Sequence, residues 1–351
     1  MSFGRTGFTT GTCAAAAAKA ATMVLCGRWI PPEVEVGLPD GTRVRLPAEW
    51  TRGDANAAEA AVRKDAGDDP DVTDGCTVIA SVMWTTSEDF TIAAGAGVGT
   101  VTKPGLSVSP GEPAINPVPR RMIREAVREV TDRPVRVTIS IPGGDELAAR
   151  TFNPRLGVEG GLSILGTSGI VRPFSGTALR DALKCALSVA EACGVKSPVL
   201  VPGRIGEKAA RRYFRLSPEQ LIEVSNEWGF MLDEASGLRF ERLLVMGHPG
   251  KLAKLPEGQW DTHSSRSTPA VSAVAELARG LLGREVPESL TVEGLFAALP
   301  EDDCGRLASE LAAKIRNAID ARIEKQCPTA VVLVNIRSEL LGSDGDLSAW
   351  Q

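Results

Sequence analysis

The sequence predicts an α/β protein in two parts. The N-terminal part reads as an α+β domain with a mixed sheet, and the C-terminal part as an α/β domain with a mostly parallel sheet. The chain starts with a hydroxyl- and glycine-rich segment, Thr9-Thr10-Gly11-Thr12, that runs into a helix of alanines from Ala14 to Ala21 interrupted only by Lys19. The rest of the first half carries alternating apolar runs separated by glycine- and proline-rich loops, the pattern of strands with one buried face. The second half repeats apolar strand, glycine loop and helix, the rhythm of a parallel sheet that binds ligands at the carboxyl ends of its strands.

At 351 residues the chain accommodates two domains of ordinary size, with a boundary expected between Arg150 and Arg155, giving domains 1–152 and 153–351. Hydrophobic residues at 43% and charged residues at 24% match a globular protein without membrane spans. A net charge of −5 argues against nucleic acid as a partner. The seven cysteines contain no C-x-x-C pair, which excludes a disulfide framework or zinc site and suits a reducing cytoplasm. Only His248 and His263 are present, so no histidine-rich metal site is expected, and no G-x-S-x-G elbow supports a hydrolase. A secretory leader is disfavoured because Lys19 interrupts the alanine stretch. Composition leaves monomer and homodimer equally open.

Taken in order, the elements are as follows. A hydroxyl before a helix is an N-cap, and the free N–H groups of the first turn attract anions, so Thr9, Thr10, Gly11 and Thr12 are candidate ligand contacts. Glu33 to Leu38 and Thr42 to Leu46 alternate around Pro39-Asp40-Gly41, a hairpin. Cys76 to Trp84 and Phe90 to Ala94 read as strands. Between Arg63 and Thr77 an aspartate-rich loop lacks calcium-loop spacing and reads as solvated, with a metal or ligand site as the alternative. Gly95 to Gly105 contains G-x-G-x-G, but a proline-broken stretch follows where a dinucleotide site needs a helix, leaving a backbone-rich loop against some ligand. Three prolines between Gly111 and Pro119 lead into a helix over Arg120 to Val130. Arg120, Arg124 and Arg128 share one face of it, as a solvated face paired with Glu125 and Glu129 or as a carboxylate clamp. Val135 to Ile141 is a strand. Strands are then expected at Leu162 to Leu165, Pro198 to Val201, Leu221 to Val224, Leu243 to Met246 and Ala330 to Asn335, with helices from about Ser175 and from Glu207 to Phe214. The loops Gly166-Thr167-Ser168-Gly169, Pro202 to Gly206 and Gly247-His248-Pro249-Gly250-Lys251 would lie at strand ends.

Eight stretches together resemble one family. They are Arg5 to Ala21, Asp65 to Gly75, Gly95 to Leu106, Gly111 to Ile123, Asn153 to Val171, Gly229 to Glu234, Gly247 to Leu255 and Asp261 to Ser264. In this order they resemble the CbiD family, the cobalt-precorrin-5B C(1)-methyltransferases of anaerobic cobalamin biosynthesis. The resemblance implies methyl transfer from S-adenosylmethionine to ring carbon 1 of a tetrapyrrole, giving cobalt-precorrin-6A, with cobalt present only as part of the substrate. It implies a macrocycle fringed with carboxylates, for which the Thr9 to Thr12 cap, Arg120, Arg121 and Lys251 are the expected contacts. For the methyl donor, Gly166, Thr167, Ser168 and Gly169 are the first expectation, and Gly247 and Gly250 the second. His248 and His263 are candidate acids, bases or substrate contacts, against a structural role for each. Cys13 is expected to pack rather than react, and Lys19 to reach a carboxylate or solvent. A non-catalytic tetrapyrrole carrier and a phosphoryl-transfer enzyme are the alternatives, the latter lacking G-x-x-x-x-G-K-[ST].

Overall fold

The computed structural model describes residues 4–86, 90–173 and 176–351. The chain divides into two compact units, Met1–Ala178 and Leu179–Gln351. Both mix helices and sheets, as expected. The expected boundary after residue 152 lies inside the first unit, because the next segment is sewn into it by short strand pairs. Val158–Glu159 pairs antiparallel with Thr100–Val101, Gly161–Leu162 pairs parallel with Gly97–Val98, and Ile170–Val171 pairs antiparallel with Gly7–Phe8. The expected strand Leu162 to Leu165 therefore ends at Leu162, and the loop Gly166 to Gly169 is not at the end of a strand in the second unit's parallel sheet. The expected helix start at Ser175 lies outside the described residues, and the helix is described from Gly176.

In the first unit, α1 (Thr10–Leu25) is the central element. It is followed by the hairpin β1 (Glu33–Gly37) and β2 (Arg43–Pro47), in which Asp40 Oδ1 accepts from Thr42 N–H at 2.9 Å and closes the turn. Then come β3 (Trp50–Gly53), β4 (Ala57–Arg63), β5 (Thr77–Trp84), β6 (Thr91–Ala94), α2 (Pro117–Arg128) and β7 (Val135–Ser140). Their sheet has the order β3-β4-β5-β7-β6, all antiparallel except β7 with β6. Ala14 to Ala18, Ala20 and Ala21 are completely buried, between β4 and β5 of the sheet and α2. Side chains one carbon long let the sheet approach the helix backbone closely, and the facing strand β4 is itself built of Ala58, Ala60 and Val62. The composition of β4 (AAEAAVR) favours a helix, yet its inward positions alternate and the tertiary contact decides for a strand. α2 begins at Pro117, before the expected Arg120, since a proline lacks only an N–H that the first turn leaves unused.

The G-x-G-x-G segment packs backbone against backbone. A Cβ on Gly97 would stand 1.9 Å from the carbonyl oxygen of Ile141, and one on Gly144 would stand 2.2 Å from the carbonyl of Gly97. The aspartate-rich loop is also internally bonded. Lys64, with only 1% of its side chain exposed, pairs with Asp71 at 2.7 Å. Asp74 accepts from Ala66 N–H at 2.8 Å, while Asp65 and Asp68 hold Arg5. Lys19 reaches the carboxylate of Glu129 and the carbonyl of Glu35.

The second unit is a doubly covered sheet. Helix α3 (Gly176–Ala192), which spans the division between units, leads to β8 (Val199–Val201), α4 (Arg204–Tyr213), β9 (Leu221–Glu223), α5 (Trp228–Ser236) and β10 (Leu243–Gly247). After these follow α6 (Val271–Leu282), α7 (Glu301–Arg322), β11 (Thr329–Val334) and β12 (Leu340–Asp344). The strand order is β9-β8-β10-β11-β12, parallel except for β12, which the sequence reading did not include. Successive residues alternate between two cores: Leu243 and Val245 join Leu187, Leu232 and Ile315 on one face, while Leu244 and Met246 join Ala209, Ala210 and Trp350 on the other. Among the described residues no helix is long and apolar enough to cross a membrane.

Candidate functional site

The first unit brings together the two segments that the sequence reading assigned to different ligands. Thr9 caps α1, its Oγ1 accepting from Thr12 N–H at 3.3 Å. The other donors of the cap go to the loop 165–169. Thr9 N–H and Thr12 Oγ1 donate to the Gly169 carbonyl at 3.1 and 2.6 Å, and Gly11 N–H donates to the Leu165 carbonyl at 3.1 Å. Thr10 Oγ1 accepts from Leu165 N–H at 3.0 Å. Thr9, Thr10 and Thr12 are buried, and the Gly11 N–H and Thr12 hydroxyl expected to meet a ligand carboxylate are taken by the protein's own carbonyls. Gly166, at φ +132°, has room for no Cβ because Thr9 Oγ1 would lie 2.4 Å away. At Gly169, with φ +82°, an added Cβ would lie 2.7 Å from Leu38 Cδ2. The exposed members of the loop are Leu165, Thr167 and Ser168.

Beside this latch stands the start of α2. Pro119 packs over Gly11, and Asn116 N–H donates to the Ile164 carbonyl at 3.0 Å. Arg120 turns back on its own chain, donating to the carbonyls of Ile115 and Pro113 at 2.7 and 3.1 Å and pairing with Glu112 at 3.2 Å. Arg121 is exposed and meets Glu125 only at 4.0 Å. Arg124 lies over the Phe90 ring at 5.5 Å, and Glu129 pairs with Lys19 and Arg43, so the three arginines form no common clamp. Burial pushes the Cys13 thiol up to about 12, which keeps it protonated, in line with the expected packing role.

The second unit offers a different arrangement. Its chain moves from β8 to β9 on one side and then to β10 on the other, so the direction of winding reverses between β8 and β10. In open α/β sheets, ligands bind outside the carboxyl ends of the strands at such a reversal. Pro202-Gly203 follows β8, and His248-Pro249-Gly250-Lys251 follows Gly247, the last residue of β10. The two loops touch, since a Cβ on Gly247 would lie 2.9 Å from Pro202 Cδ. Gly203 has φ +145° and ψ −159°, a backbone that side chains rarely allow, and the only neighbour of an added Cβ is Glu223 Oε1 at 3.7 Å. Lys251 is half-buried on the same edge; burial pushes its ammonium below the usual lysine range, Glu223 opposes that shift and Lys254 adds to it.

Both histidines are hydrogen-bonded within the second unit. His248 caps the short helix Pro249–Leu252, its Nδ1 accepting from Gly250 N–H at 3.0 Å. That tautomer leaves Nε2 to donate to Glu293 Oε2 at 2.9 Å. His263 is exposed and its Nδ1 bonds within its own turn, to Ser265 Oγ at 2.8 Å. Near it, Glu227 is buried against Arg180 at 2.7 Å, and Lys254 is buried against the Thr262 carbonyl and Ser267 Oγ at 3.2 and 2.7 Å. Lys251 thus belongs to the second unit, whereas Arg120 and Arg121 belong to the first.

Comparison with known proteins agrees across both units. The CbiD family matches residues 2–173, and the CbiD C-terminal domain matches residues 261–345. A protein of Syntrophotalea carbinolica named cobalt-precorrin-5B C(1)-methyltransferase is 54% identical over 345 residues, covering 98% of each chain. The chain belongs to the CbiD family. A relative of the same name from Methanocaldococcus jannaschii is 40% identical over 346 residues, covering 96% of this chain and 95% of its own. A crystal structure of the cobalamin biosynthesis protein cbiD from Archaeoglobus fulgidus is 31% identical, with a TM-score of 0.42 over 75% of this chain and 83% of its own.

Within this CbiD chain, the sequence motifs assign no ligand to Glu223 or to the Gly203 loop. A signal was present: Glu223 ends a strand twenty residues after Gly203. Only the strand order shows that the two positions face one another.

Proposed function

We propose that this chain is a cytoplasmic methyltransferase that methylates C-1 of cobalt-precorrin-5B, using S-adenosylmethionine, to give cobalt-precorrin-6A. The near-full-length similarity to relatives of that name carries the reading. Bound S-adenosylmethionine supplies an already activated methyl group, and cobalt arrives within the substrate. The protein's task is then orientation, which contributes up to about 7–11 kcal/mol when reacting atoms are held in line.

The residues of the second unit suit the methyl donor. Gly203 presents open backbone, Gly247 lets the neighbouring loop come close, and Gly250 continues that loop past His248. In the first unit, the buried cap Thr9 to Thr12 positions the loop 166–169, whose exposed Thr167 and Ser168 stand with Arg121 as the groups suited to the acidic rim of the macrocycle. An in-line displacement needs no covalent intermediate, which fits a protonated Cys13 and two histidines engaged in caps and turns.

The test is anaerobic incubation with cobalt-precorrin-5B and methyl-labelled S-adenosylmethionine. Label is expected in the macrocycle. Binding of both compounds without transfer would replace this reading by that of a carrier.

A further inference from the structure

We propose that Glu223 recognises the ribose of the methyl donor, its carboxylate accepting hydrogen bonds from the two ribose hydroxyls; this rests on the donor reading given above. The inference starts from the division of labour between the two glycines after β8. In a strand–glycine turn–helix that receives a nucleotide, one glycine lets the ligand reach the backbone and a glycine three residues later lets the helix pack closely on the sheet. Gly203 and Gly206 have that spacing and those surroundings. Gly203 opens on space with a φ of +145°, whereas a Cβ on Gly206 would meet the Met246 carbonyl at 2.7 Å and Val201 Cβ at 3.0 Å.

The same architecture places an acidic residue about twenty residues further on, at the end of the adjacent strand, where it meets the ribose hydroxyls. Glu223 is the last residue of β9, and β9 is the parallel neighbour of β8. Its Oε1 is the atom that faces the open side of Gly203. A carboxylate has only acceptors, and two adjacent hydroxyls have two donors to give it, so the match is chemical as well as positional. Lys251, in the short helix after β10, lies in the field of the same carboxylate. A negative group at this position also disfavours a ribose bearing a 2′-phosphate.

The experiment is isothermal titration of the full chain with S-adenosylhomocysteine and with its 2′-deoxyribose analogue. Wild type, Glu223→Ala, Glu223→Gln and Gly203→Val are compared, with thermal melting of each as a check on folding. Glu223→Ala is expected to weaken S-adenosylhomocysteine at least about tenfold, the size of one lost charge-assisted hydrogen bond, and to bind both compounds equally. Wild type is expected to prefer the ribose form, and Glu223→Gln, which keeps the shape and loses the charge, to fall between the two. If Glu223→Ala binds within twofold of wild type while Gly203→Val does not bind, the ribose role of Glu223 is wrong and the donor site stands. If folded Gly203→Val binds as wild type does, the donor site itself is wrong and the inference falls with it.

Discussion

Two regions of this chain begin from the same local signal, small residues and glycines at the start of a helix, and end in opposite states. In the first unit, the cap of α1 and the loop 165–169 close on one another, and the Thr12 hydroxyl donates a hydrogen bond to the Gly169 carbonyl at 2.6 Å. Glycine is required there because protein atoms occupy every place where a Cβ would stand. In the second unit, glycine at 203 is required by the backbone angle while the space beside it stays open apart from Glu223. A glycine loop is therefore not one kind of feature. What distinguishes a latch from a receptor is whether its N–H groups and its empty Cβ positions are filled by the chain itself.

The comparison breaks most visibly at the latch. Gly166→Val places a branched side chain at φ +132° against Thr9 Oγ1, and a loss of about 4 kcal/mol or more is expected, read as a collapsed melting transition. If the variant melts like wild type, the latch is not closed as described. The next largest effect is Lys64→Met, which leaves Asp71 without its partner and should cost about 3 kcal/mol in urea unfolding.

Acid probes the same unit. Burial works against the Asp71 carboxylate, but Lys64 and the backbone N–H of Thr73 outweigh it and hold Asp71 below the usual aspartate range. Arg43, and then Lys19 against a burial penalty, hold Glu129 low in the same sense. A carboxyl group that is more acidic when folded contributes stability above its unfolded pKa, and that contribution is lost as pH falls through the folded value. The melting temperature should therefore fall steeply below about pH 4, where the unfolded carboxyls begin to take up protons first. Lys64→Met should flatten that fall, and an unchanged acid profile would count against the pair.

Smaller effects are expected at the histidines. His248→Ala removes a helix cap and the contact with Glu293, at about 1 kcal/mol, and single-turnover methyl transfer should remain measurable. His263→Ala, at an exposed turn, should change stability by less than about 0.5 kcal/mol. Complete loss of transfer in either variant with ligand binding intact would make that histidine a direct participant.

Local chemistry was legible wherever it acts through neighbours in sequence. The Thr9 cap, the Asp40 turn and the strand at Leu243 were all readable because a hydroxyl, a turn residue and an apolar run determine their own backbone. The family was legible for the same reason, as ordered stretches along one chain. Long-range partnership was not. The strand β4 looks helical until α1 lies against it, Gly97 looks ready for a ligand until Ile141 fills its place, and the 153–171 segment looks like the start of a new domain until it pairs with strands of the first. Sequence by itself determined the locally signalled elements, the composition class and the family. Tertiary structure alone decided which glycines are closed and which face open space, and that Glu223 stands across from Gly203. The physical reason is that hydrogen-bond donors and empty volumes are shared out between segments distant in sequence, and only their meeting shows which remain for a ligand.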